Sequence, residues 1–118
     1  MLFNFVVKSQ NSPDWTVNAN DYQFSMTMVA SVRVDNELSA DANDQIGVFV
    51  NDELRGTAKL AIKIPSSGDQ VAFIQVYSNS ANGETLTFKI YDASADELID
   101  AVNTETFEDG KKLGGNRV

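Results

Sequence analysis

The chain has 118 residues, no cysteine, no histidine and a formal net charge of −8. That length suits one domain that buries its own core. Without Cys or His there are no disulfides, zinc ribbons or redox pairs, nor the commonest general base. Nine scattered basic residues against seventeen acidic ones argue against a nucleic-acid partner, which clustered Lys and Arg would announce.

The chain opens on the apolar residues Met1 to Val7, too short to span a membrane and without the basic start and cleavage site of a signal peptide. Phe3, Phe5 and Val7 alternate, so residues 1–10 are expected to form a first strand; either the protein is not exported by a cleaved signal or a leader has already been removed. A polar loop containing Pro13, Asp14 and Trp15 follows. From Tyr22 to Val34 every second residue is apolar or small (Tyr22, Phe24, Met26, Met28, Ala30, Val32, Val34), and the intervening set is polar except for Val29. Period two means a strand with one wet and one buried face; a helix would scatter the same set around its circumference.

Ile46 to Val50 is a continuous apolar run, as in a strand buried on both faces, and Asn51 and Asp52 suit a tight turn. The return strand places Leu54, Gly56, Ala58, Leu60, Ile62 and Ile64 on one face until Pro65 ends it. Val71 to Ser78 reads as another strand, Asn82 and Gly83 as a hairpin signal, and Leu86, Phe88 and Ile90 as a further alternation. Leu98 to Val102 and Thr104 to Phe107 read as two short strands, and residues 110–118 as a loosely ordered tail.

The pattern predicts an all-β domain over residues 1–118, an antiparallel β-sandwich of about eight strands, immunoglobulin-like or jelly-roll-like, with a β-barrel as the alternative. Its expected core is Phe24, Met26, Met28, Val48, Phe49, Leu60, Ile62, Phe73, Val76, Leu86, Phe88 and Ile90.

Few residues suggest chemistry. Asp35, Glu37, Asp41, Asn43 and Asp44 are candidate calcium ligands, because calcium takes six to eight oxygens, although the spacing is not that of an EF-hand. The same residues equally suit a solvated turn. Trp15, Tyr22, Tyr77 and Tyr91 are amphipathic aromatics that either cap the core or stack against sugar rings; Trp15 and Tyr91 are the candidate ligand contacts, Tyr91 being expected on the exposed face. Glu53 and Arg55 share the polar face of one strand, where Arg55, beside Gly56, is expected to reach carbonyls and fasten a sandwich edge. No carboxylate pair, nucleophile elbow or phosphate loop stands out, so no catalysis and no required cofactor are expected.

Six short motifs in order carry a resemblance. They are Asp14 and Trp15, Tyr22 to Met26, Asp44 to Val50, Glu53 to Gly56, Val76 to Asn79, and Glu84 to Ala93. Together they make the stretch from Trp15 to Val118 resemble a small all-β surface module that recurs in marine bacteriophage virion proteins and in large secreted surface proteins of environmental bacteria. The chain departs from it in carrying Leu54 where relatives often have Cys, and in the segment before Ser9. The resemblance implies a non-enzymatic decoration or appendage protein on a virion surface, contacting other virion or surface proteins and mediating adhesion to a host or to glycans. Starting at Met1, the chain looks more like the phage setting than the bacterial one. The alternative is an extracellular carbohydrate-binding or adhesion module of a secreted bacterial protein.

Overall fold

The alternation that begins at Tyr22 builds β1 (Phe24–Ser31), with Met26, Met28 and Ala30 turned inward and fully buried. The computed structural model describes residues 13–34 and 36–117; the expected strand over residues 1–10 lies outside them. After β1 come the two-residue strands β2 (Arg33–Val34) and β3 (Glu37–Leu38), which pair with each other as a small hairpin. Then follow β4 (Gln45–Val50), β5 (Glu53–Lys59), β6 (Ile62–Lys63), β7 (Gln70–Ser78), β8 (Asn82–Asp92), β9 (Glu97–Glu108) and β10 (Lys112–Arg117). A 3-10 turn, Ala19–Asp21, precedes β1; the side chain of Asn18 caps it by accepting from the Asn20 amide.

Two four-stranded sheets pack face to face, in the orders β10-β1-β7-β6 and β5-β4-β8-β9, and they do not close into a barrel. The fold is a β-sandwich, antiparallel except where β10 runs parallel to β1. Its core combines Met26, Met28, Ala30, Ala72, Ile74 and Val76 from the first sheet with Ile46, Val48, Leu86, Phe88, Ile90 and Phe107 from the second. Burying a side chain of this size contributes about 1.5–3 kcal/mol. All six residues of β4 are buried: Ile46, Val48 and Val50 join the core, while Gln45, Gly47 and Phe49 are covered on the outer face.

Several expectations are corrected. The expected single strand from Glu53 to Ile64 is two strands in different sheets. At Leu60, whose amide donates to the Asp44 carbonyl (2.9 Å), the chain leaves the second sheet, and β6 joins the first beside β7. That corner leaves Ile62 49% exposed instead of in the core. Phe73 is also 49% exposed. The run Val71 to Ile74 is apolar in both phases, and pairing with β1 (Met28 with Ile74, Val29 with Phe73) decides which phase faces inward.

Leu54 lies opposite Phe49 and Gly56 opposite Val48, so Arg55 is the extra residue of a β-bulge, and Leu54 is turned to the outer face. Asn82 and Gly83 do not turn a hairpin: they begin β8, in a different sheet from β7. The two short strands expected near the end are one strand, β9, whose register with β8 shifts between Thr87 and Lys89. The expected loose tail contains β10, held along β1 from Thr27 to Ser31.

Where β5 meets β7 the sheets come unusually close. A Cβ at Gly56 would lie 2.5 Å from the Gln75 carbonyl oxygen and 3.2 Å from the Val76 Cα. Gly56→Ala therefore forces backbone apart, and its expected cost is about 2 kcal/mol, in the range of overpacking changes. Equilibrium urea unfolding of the variant measures it, and an unchanged midpoint would refute the close approach.

Candidate functional site

The bulge in β5 aims the Arg55 guanidinium into the rim of the sandwich, where it is buried. Its Nε donates to Glu53 Oε1 (2.6 Å), and its Nη1 donates to Glu84 Oε1 (2.8 Å) and to the Tyr77 carbonyl (3.2 Å). Ser78 Oγ donates to the same Glu84 oxygen and accepts from the Ser80 amide (2.9 Å). Arg55 thus ties β5, β7 and β8 together across the two sheets. Burial opposes its charge, but the hydrogen bonds it donates to Glu84 and Glu53 outweigh it and raise its pKa. The hydrogen bond from Arg55, then that from Ser78, holds Glu84 below its ordinary 4.5.

A carboxylate whose pKa is depressed by folding stabilises the fold above its unfolded pKa, and the contribution disappears as pH falls through the folded value. Wild-type protein should therefore lose stability on acidification below about pH 4.5, and Glu84→Gln should flatten that part of the profile. Thermal melts of both proteins across pH 3–6 check it; parallel profiles would contradict it.

Next to this clasp lies a strip of aromatic rings. The Tyr22 ring sits 5.3 Å below the guanidinium of Arg55 and stacks on Tyr77, centroids 6.1 Å apart and planes at 23°. Burial, then the charge of Glu53, raises the Tyr22 pKa. Asn79 fixes the approach to β1: its Oδ1 accepts from the Gln23 amide and its Nδ2 donates to the Asp21 carbonyl, each at 3.0 Å. On the outer phase of β7 the Tyr77 hydroxyl donates to Gln75 Oε1 (2.6 Å), and Phe73 follows two residues further along. Val17, Gly56, Thr57, Phe73, Gln75 and Tyr77 line a groove of about 350 Å³.

The expected ligand contacts lie elsewhere. Tyr91 is only 6% exposed, and its hydroxyl donates to Asp96 Oδ1 (2.6 Å) across the turn before β9. That bond, then burial, pushes its pKa up to about 12. Tyr91 is therefore a structural anchor, which corrects the exposed position expected for it. Trp15 packs edge-on against Phe49 (5.8 Å, 76°) and lies over Gly47, where a Cβ would come within 3.1 Å of its ring. Lys89 approaches the Phe49 ring at 5.8 Å and pairs with Asp100 at 2.7 Å.

The acidic loop is held by its own bonds. Asp44 is buried; its Oδ2 accepts from Ser39 Oγ (2.5 Å) and its Oδ1 from the Ala93 amide (2.8 Å). Asp41 Oδ1 accepts from the Asn43 amide (2.8 Å), and Glu37 is exposed on β3. Asp35 lies outside the described residues. Among the described residues no three acidic side chains gather as metal ligands do. In the loop, Asp41 Oδ1 and both Asp44 carboxylate oxygens accept hydrogen bonds from donors inside the protein.

Phe73, Gln75 and Glu84 did not stand out in the sequence. The available signal was the period of β7, whose outer phase carries Phe73, Gln75 and Tyr77. Among the described residues no helix is long and apolar enough to cross a membrane. No family model, curated protein or solved structure matches the chain.

Proposed function

We propose that this chain is a non-enzymatic surface module of a bacteriophage particle, a decoration or appendage protein that contacts other virion proteins and the host surface. The observation that carries this reading is where its resemblance motifs fall. Trp15 meets Phe49, Tyr22 meets Tyr77 and Arg55, Arg55 meets Glu84, and Asp44 meets Ala93. Each motif is spent on fastening the sandwich, which supports the role of a durable scaffold with its distinctive chemistry in the framework. The net charge of −8 suits a part facing solvent rather than one packed on DNA.

Mass spectrometry of purified particles tests the reading: the chain is expected among the virion proteins, and its absence from them would overturn the proposal. The groove beside Phe73 favours a second reading, an adhesion module of a secreted bacterial protein, which predicts glycan binding without any particle. Neither role requires calcium. Because Asp41 Oδ1 and both Asp44 oxygens accept hydrogen bonds inside the protein, the melting temperature is expected to be the same in millimolar calcium and in chelator, whereas a bound ion would raise it by mass action.

A further inference from the structure

We infer that the groove between β5 and β7 is a binding site for a neutral oligosaccharide. It is lined by Val17, by Gly56 and Thr57 of β5, and by Phe73, Gln75 and Tyr77 of β7, and within it Gly56 closely approaches the Gln75 backbone. None of the six lining residues is charged, in a chain whose formal net charge is −8. Among the described residues, this lining offers an ionic ligand no charged partner.

Phe73, Gln75 and Tyr77 lie on one phase of an extended strand, so the two rings stand about 13 Å apart with an amide between them. Phe73 is half exposed, an unusual position for so large an apolar ring, and Tyr77 is held against Tyr22. Such a row asks its occupant for apolar faces alternating with groups that both donate and accept hydrogen bonds. Sugar rings have that character: their C–H faces stack on aromatic rings, and their hydroxyls match the Gln75 amide and the Thr57 hydroxyl. A proline-rich peptide also docks on aromatic-lined grooves, but its tertiary amides only accept. The volume, about 350 Å³, falls at the lower end of small-ligand sites.

This inference deepens the surface-module reading and rests on it, yet the two can fail separately, because presence in the particle is measured without any ligand. The test is calorimetric titration of the full chain with cellohexaose, laminarihexaose, maltohexaose and chitohexaose, with an acidic hexagalacturonate and a decaproline peptide as comparators. Binding of at least one neutral hexasaccharide is expected. Phe73→Ala should weaken it about tenfold, Gln75→Ala should weaken it by a smaller factor, and Val102→Ala, on β9, should leave it unchanged. Circular dichroism confirms that each variant stays folded. No binding of any neutral probe, preference for the acidic sugar or for decaproline, or full binding by folded Phe73→Ala would each overturn the assignment.

Discussion

Phe107→Ala is expected to destabilise the fold by about 4 kcal/mol, the largest effect of any single truncation among the described residues. Phe107 has no exposed surface and heads the fully buried side chains by volume. It sits near the end of β9 and reaches the core shared by both sheets. Removing the ring loses its transfer free energy and leaves a cavity that a close-packed interior fills only in part. Since domains of this size are stable by only about 5–15 kcal/mol, the variant should unfold at a much lower urea midpoint with an unchanged slope. Val102→Ala, five residues away on the same strand but 96% exposed, should stay within about 0.5 kcal/mol of wild type. Similar losses for the two variants would refute this placement of β9.

Arg55→Ala comes next, with an expected loss of about 3 kcal/mol. Removing the guanidinium strands the Glu84 carboxylate and the Tyr77 carbonyl at a rim where water replaces it only partly. The arms of the cluster are unequal. Glu53 is 60% exposed on its side chain, so Glu53→Gln should cost less than about 0.5 kcal/mol despite its 2.6 Å contact. Glu84 is more enclosed and accepts from two donors, so a double-mutant cycle between Arg55→Ala and Glu84→Gln should return a coupling above about 1 kcal/mol. Additive losses would mean that Arg55 does not act through Glu84.

The strands with one apolar phase were legible in the residues themselves. β1 alternates cleanly, and β4, apolar throughout, is covered on both faces. Legibility failed where two phases compete or where the chain changes sheet. Val71 to Ile74 offers an apolar residue on either face, so only its partner strand decides that Ile74 goes in and Phe73 stays out. The bulge at Arg55 and the corner at Leu60 each reset the alternation, and neither has a Gly-Pro signature to announce it. Phe107 is the lone aromatic in a stretch of Thr and Glu, a weak periodic signal for the largest fully buried side chain.

At the candidate site, Arg55 drew notice because it precedes Gly56, but Glu84 and the Tyr77 carbonyl are long-range partners that no local pattern encodes. Tyr91 misled because it shares the wet phase of β8 with Thr87 and Lys89, and the turn at Asp96 then folds back to meet its hydroxyl.

The parallel seam between β1 and β10 bears on how the molecule is made. Thr27 and Met28 find their partners in Lys112 and Leu113, so the first described strand of the sandwich is zipped along one side by the last. A nascent chain on the ribosome cannot form that seam until β10 has emerged, and until then β1 presents an unpaired edge on that side. Pairings of such long sequence separation place refolding in the millisecond-to-second class rather than the microsecond one. Synthesis that stalls within β9 would release a chain with the Met26 and Met28 strand lacking one flank, an invitation to intermolecular β-pairing that the finished protein withdraws.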